Sequence, residues 1–192
     1  MDSPRANELV EAARDGNLAA ADQLIELFYE RIFAFLRRLA GNDADAADLT
    51  QRTLSRVWES LPTFASRSSV GSWIHGIAYH VYVDWRRAGR RTEPRSDEWW
   101  ALCADDEPTP DEALGRADLA AMVFRSVDQL ERELRETVHL HSYQELTLQE
   151  TADAQGIATS TVKYRLRQAL AELQKKLNPE GLTTAATTPA RK

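Results

Sequence analysis

Cysteine is nearly absent, with Cys103 the single thiol in 192 residues. One thiol excludes an internal disulfide and any Cys-pair metal or redox motif. Cys103 lies among acids that disfavour a thiolate, so an inert side chain is expected. No stretch approaches the roughly 20 apolar residues that a membrane span requires. The start, Met1-Asp2-Ser3-Pro4-Arg5, lacks the basic-then-apolar order of a secretory signal. These absences predict a cytoplasmic protein without membrane insertion. Walker-type Gly-Lys-Ser and His-Glu-x-x-His motifs are also missing. The carboxylates fall at helix starts or in one acidic stretch, where capping and solubility explain them. His139 and His141, two apart, fall on different sides of a helix and make a poor metal pair. The expectation is no catalytic residue, no metal site and no cofactor.

A formal net charge of -6 at first opposes a nucleic-acid partner, but the charge is unevenly spread. Residues 1–91 carry 12 basic and 12 acidic side chains, and residues 116–178 carry nine of each. Residues 92–115 hold one arginine against eight acids. The acidity is therefore confined to one segment, leaving the flanking modules able to show local basic faces.

The most informative stretch is Thr147 to Leu177. Thr147 with Glu150 three residues on makes a capping box, and Gly156 permits a turn at little steric cost. Thr159 or Ser160 caps a second helix, whose Val162, Leu166, Ala169, Leu170, Leu173 and Leu177 recur at helical spacing as one apolar face. Its other face shows Ser160, Lys163, Tyr164, Arg167 and Gln168. Small Ala152 lets the two helices approach, and Ile157 and Val162 pin them together. This is the pattern of a helix-turn-helix, whose second helix enters the major groove; a plain helical hairpin with a solvated basic face is the alternative.

The remainder also reads as helix. Residues 7–40 form two helices broken near Gly16-Asn17, with Gly41 as a stop. A third runs from Asn42 to Leu61, with Asp43, Asp45 and Asp48 suiting the positive end of its dipole. Its inward residues are Leu49, Leu54, Val57, Trp58 and Leu61, and Pro62 ends it. After a polar loop, Thr63–Ser68, Ser69 caps a long helix reaching about Arg91. Val70, Trp73, Ile74, Ile77, Ala78, Val81 and Trp85 are its buried stripe, with Tyr79, His80 and Tyr82 towards other faces. Arg86, Arg87, Arg90 and Arg91 close it, either as cations favouring a helix C-terminus or, beside aromatics, as a surface for single-stranded nucleic acid.

Residues 92–113 are an acidic, proline-punctuated linker with an apolar island at Trp99-Trp100-Ala101-Leu102. Thr109-Pro110-Asp111-Glu112 starts a helix running to about Val127, and another spans Glu131 to Tyr143. After Asn178-Pro179 a disordered tail is expected. The fold class is all-α: two small helical domains, 1–91 and 114–178, joined by the linker at 92–113, with a tail at 179–192.

Asp45-Ala46-Ala47-Asp48-Leu49-Thr50-Gln51, then Trp58, Phe64, Trp73-Ile74, Ile77-Ala78, Asp84 and Arg86-Arg87 resemble region 2 of an extracytoplasmic-function (ECF) sigma factor. Leu146–Leu177, with Gly156-Ile157 and Thr161-Val162-Lys163, resembles region 4 of the same family, in the right order and at the right separation. The resemblance implies that Asp45, Asp48, Gln51, Arg52 and Ser55 dock on core RNA polymerase. It implies that Phe64, Arg67, Trp73, Tyr79, His80, Arg86 and Arg87 act on the opened -10 element of promoter DNA. It further implies that Ser160, Thr161, Lys163, Tyr164, Arg165, Arg167 and Gln168 read the -35 element as duplex, that the linker enters polymerase channels, and that an anti-sigma factor is a partner.

There are departures. Arg52 stands where the family commonly has an acid, and Gly71 and Gly76 where residues are often larger and basic. His80 replaces a frequent Asn. Gln168 replaces a common Arg; Gln pairs with adenine where Arg prefers guanine. A reading of a different class is a stand-alone helix-turn-helix regulator acting without polymerase, for which a strand-opening module has no use.

Overall fold

A computed structural model describes residues 4–66, 68–89 and 120–177. The expected linker, the island Trp99–Leu102, Cys103, the helix start at Thr109, Arg67, Arg90, Arg91 and the tail lie outside the described residues. Among the described residues all regular structure is helical, as expected. In chain order the helices are α1 (Pro4–Arg14), α2 (Leu18–Ala40), α3 (Asp43–Ser60), a 3₁₀ turn (Leu61–Thr63) and α4 (Val70–Arg87). Residues 120–128 form α5. There follow α6 (Arg132–Val138), running into a π turn (His139–Tyr143), then α7 (Leu148–Gln155) and α8 (Thr159–Leu177).

The chain divides into two compact units that interleave in sequence. Residues 1–95 and 139–162 make one, and residues 96–138 and 163–192 make the other. In the first, α1 to α4 pack on one another and α7 packs on α4. Side-chain caps fix the starts of α2, α3 and α4. Asn17 Oδ1 accepts from Ala20 N–H at 3.1 Å, Asn42 Oδ1 from Asp45 N–H at 2.8 Å, and Ser69 Oγ from Ser72 N–H at 3.0 Å. Gly41, at φ +91°, stops α2 and donates its N–H to Arg37 O. The core is Ile32, Phe35, Leu36 and Leu39 of α2, Leu49 and Val57 of α3, and Val70, Ile74 and Ala78 of α4. Leu140, Leu146 and Ala154 join it from the later segment.

Two α3 core positions are polar: the Thr50 and Thr53 hydroxyls donate to Ala46 O and Leu49 O, both at 2.7 Å. With these satisfied, the buried stripe runs Ala46, Leu49, Thr50, Thr53, Val57. Trp58, expected inside, lies roughly 100° round from Val57 and is 45% exposed. Tyr79 and Tyr82, expected on other faces of α4, are buried, because α4 is covered from several sides, by α1, α2, α3 and α7.

In the second unit Val127, Leu130, Leu134 and Val138 are buried, as is Ala169 of α8. Arg135 Nη1 donates to Asp128 O at 2.7 Å, and Lys176 Nζ to Gln129 O at 3.2 Å. Leu170, counted in the apolar face of α8, is 57% exposed; it falls outside the line of Val162, Leu166, Ala169 and Leu173.

Candidate nucleic-acid interface

The turn that aims α8 is built by short-range hydrogen bonds. Thr147 N–H donates to Glu150 Oε2 at 2.9 Å, and Glu150 N–H donates to Thr147 Oγ1 at 3.2 Å. The capping box expected from sequence is thus closed in both directions. Gly156 sits at φ +65°, and Ile157 N–H donates to Ala152 O at 3.0 Å. Thr159 Oγ1 donates to Gln149 Oε1, whose amide donates in turn to Asp153 Oδ1, each at 2.8 Å. Val162 is fully buried, and this fixes which side of α8 faces outward. Ser160, Lys163, Tyr164 and Arg167 are exposed, and Thr161, Arg165 and Gln168 are half-buried. Arg165 Nη2 donates to Glu133 Oε2 at 2.6 Å, so part of its charge is already answered within the protein.

A second polar surface lies along α3. Asp48, Gln51, Arg52, Ser55 and Arg56 flank a groove of about 530 Å³ whose far wall includes Asp84 and Trp85 of α4. Gln51 and Ser55 are exposed. Arg52 Nη2 pairs with Asp48 Oδ2 at 2.9 Å, and Arg56 Nη1 pairs with Asp84 Oδ2 at 3.2 Å. Asp45 is held in the α3 cap, its Oδ2 accepting from Asn42 Nδ2 at 2.8 Å. The unexpected Arg52 is therefore accommodated by an i,i+4 partner on its own helix.

The third set divides between surface and core. His80 and Arg87 are exposed, and Trp73 and Arg86 are half-buried. Phe64 and Tyr79 are buried and stand behind the surface. The Phe64 and Trp73 rings lie 4.5 Å apart, centroid to centroid, and the Arg86 guanidinium lies 5.5 Å from the Tyr82 ring.

This face of α4 also meets α7. Trp73, Gly76, Ile77 and His80 line a cleft of about 290 Å³ with Glu150, Asp153 and Ala154. Partial burial alone would raise the Glu150 carboxyl. Hydrogen bonds from Ser72, from the Thr147 backbone and side chain, and from Ser69 outweigh it and hold the group at about 2. Sequence reading finds Glu150 as a cap for its own helix. The additional donors sit about 80 positions earlier, where no local pattern connects them.

Sequence reading also passes over His75. It is buried at the edge of the Phe35 ring, with Nδ1 2.7 Å from Gly71 O. A carbonyl only accepts, so Nδ1 carries the proton. Burial pushes the imidazole down to about 4; the Gly71 bond opposes this, Arg31 adds to it, and Gln144 opposes it.

Sigma-70 region 2 matches residues 24–92, and Sigma-70, region 4 matches residues 121–173. The ECF RNA polymerase sigma factor SigF of Caulobacter vibrioides is 34% identical over 176 residues, spanning 90% of this chain and 94% of that protein. The chain belongs to the ECF sigma factors of the sigma-70 family. SigE of Mycolicibacterium smegmatis is 29% identical over 187 residues, 96% of this chain and 72% of that protein. Among solved structures, CnrH in complex with the cytosolic domain of CnrY has a TM-score of 0.65 at 21% identity, covering 92% of this chain and 99% of that one. RpoE of Bartonella quintana, in complex with the anti-sigma factor NepR, gives 0.62 at 23% identity, covering 83% and 97%. Both share the fold. This ECF sigma factor is an RNA polymerase-binding transcription initiation factor, and the stand-alone regulator is not favoured.

Proposed function

We propose that this ECF sigma factor docks on core RNA polymerase through the α3 groove and grips a promoter at two places in the cytoplasm. Ser160, Thr161, Lys163, Tyr164, Arg165, Arg167 and Gln168 read the -35 element as duplex. Trp73, His80, Arg86 and Arg87, with Arg67, hold the parted -10 strand, while Phe64 and Tyr79 brace that surface from behind. Asp45, Asp48, Gln51, Arg52 and Ser55 meet the polymerase. The domains that carry these roles are 1–91 and 114–178, with 92–113 as the tether. Melting draws on binding energy, since captured and stacked bases offset unstacking, and no enzymatic step is assigned.

The observation that carries this reading is the outward face of α8, exposed side chains ranged opposite a fully buried Val162. One similar structure contains CnrH bound to the cytosolic domain of CnrY, and another the sigma factor RpoE bound to the anti-sigma factor NepR; an anti-sigma factor is proposed as a partner of this chain.

Transcription on a supercoiled promoter library with bacterial core polymerase tests the assignment. The chain is expected to yield sigma-dependent transcripts, and Arg167→Ala to weaken -35 binding by about 1–3 kcal/mol. Folded protein that supports no transcript would refute the function. An unchanged -35 footprint for Arg167→Ala would remove that residue from the interface.

A further inference from the structure

We propose that Glu133 is a positioning residue for promoter reading: it holds the Arg165 guanidinium and so sets the roll of α8, and Arg165 serves the -35 element as a strut rather than as a base reader. The inference rests on the proposed reading of the -35 element by α8 and refines it at Arg165.

Helix geometry separates Arg165 from its neighbours. Successive residues advance about 100° around an α-helix, so Arg165 and Arg167 point about 160° apart. Lys163, Tyr164 and Arg167 are exposed and fall within about 100° of one another. The Arg165 side chain is 18% exposed and leaves α8 on the side away from Arg167. A recognition helix turns one face to the base edges, and these two arginines cannot share it.

What Arg165 meets instead is α6. Its Nη2 donates to Glu133 Oε2 at 2.6 Å. Burial of Leu134 and Val138 seats α6, and Arg135 Nη1 ties it to Asp128 O at 2.7 Å. A second tie lies near the end of α8, where Lys176 Nζ donates to Gln129 O and Oε1, each at 3.2 Å. At 1.5 Å per residue, the two ties are about 16 Å apart along the α8 axis, with buried Ala169 between them. One tie leaves a helix free to pivot; two ties to the same corner fix both its roll and its tilt. The charge at 133 agrees with this role. A carboxylate 54% exposed, beside a helix that grips phosphate, opposes every duplex alike, and an ion pair so open adds little to stability. What the bond supplies is direction, as a charge-assisted contact to a planar guanidinium does.

The test uses the full-length chain with core polymerase and two duplex probes: a promoter recovered from the supercoiled library, and the same promoter with its -35 element scrambled. The ratio of the two affinities is the readout, because a lost repulsion changes both alike. Glu133→Ala is expected to lower that ratio about three- to tenfold, within the range of coupling between residues in contact. The charge swap Glu133→Arg with Arg165→Glu rebuilds the bridge in reverse and is expected to recover most of the ratio, which Arg165→Glu alone does not. Arg165→Ala is expected to leave the salt slope of binding unaltered, where loss of a phosphate contact reduces it by about 1. An unchanged or raised ratio in Glu133→Ala overturns the positioning role. So does a swap no better than Arg165→Glu alone, or a slope reduced by Arg165→Ala. An unmodified chain that yields no promoter, or binds both probes alike, overturns the reading of the -35 element by α8, and this inference with it.

Discussion

At position 75 an imidazole occupies the α4 stripe between Ile74 and Ala78, where periodicity alone suggests another apolar group. Its folded-state value of about 4 lies below the ordinary 6.5. Between those values the unfolded chain holds more protons, so stability is fully present above about pH 6.5 and drains away as pH falls towards 4. The full loss is roughly 3 kcal/mol. Urea melts at pH 7 and pH 5 are expected to show about 2 kcal/mol of this loss in the unmodified chain, and a much smaller change in His75→Gln. Equal pH dependence in both would show that His75 does not titrate on unfolding. Glu150 acts in a separate window: its lowered value contributes stability that is lost only as pH falls from 4.5 towards 2. Burial of individual aromatics was the least legible property at this scale. Phe64 and Trp73 share a ring contact between a residue just after the 3₁₀ turn and one on α4, and spacing along one helix carries no record of that.

Helix ends were far more legible, because caps are local chemistry. Gly41, Ser69, Thr147 and Gly156 stand where the sequence places them. The π turn was not legible. Glu131–Tyr143 reads as one helix, but α6 ends at Val138, and Gln144 N–H reaches back five residues to His139 O at 3.2 Å. The wider turn leaves the His139 and Tyr143 rings 5.1 Å apart and brings Arg38 over Tyr143, 5.2 Å from its centroid. Such a bulge is selected by packing partners distant in sequence. Gly156 carries the prediction for this scale. At φ +65° a side chain costs about 1–2 kcal/mol, so Gly156→Ala is expected to lower thermal stability and weaken duplex binding together. Retention of both would mean that the turn relaxes without strain.

Across the whole chain, the order of elements was readable, but which core each apolar face completes was not. Leu140, Leu146 and Ala154 pack in one core with residues of α1 to α4, a contact to which no local pattern in 139–162 points. Hydrophobic periodicity says that a face is buried; it does not say against what. Leu146→Ala removes a 3%-exposed side chain and should cost about 2–5 kcal/mol. Hydrogen exchange is expected to quicken across Leu148–Gln155 while the amides of Phe35 and Leu36 keep their protection. Uniform acceleration through both would mean that the segment opens only with the entire unit.

The Gly76–Ala154 contact is formed between uncharged groups, and Glu150 binds there to neutral hydroxyls. Dissolved ions therefore barely disturb it. Grip on a phosphate backbone, by contrast, fades steeply with ionic strength, because releasing counterions into a saltier solution gains less entropy. Salt thus presses on the promoter grip and leaves the packing of α7 on α4 in place.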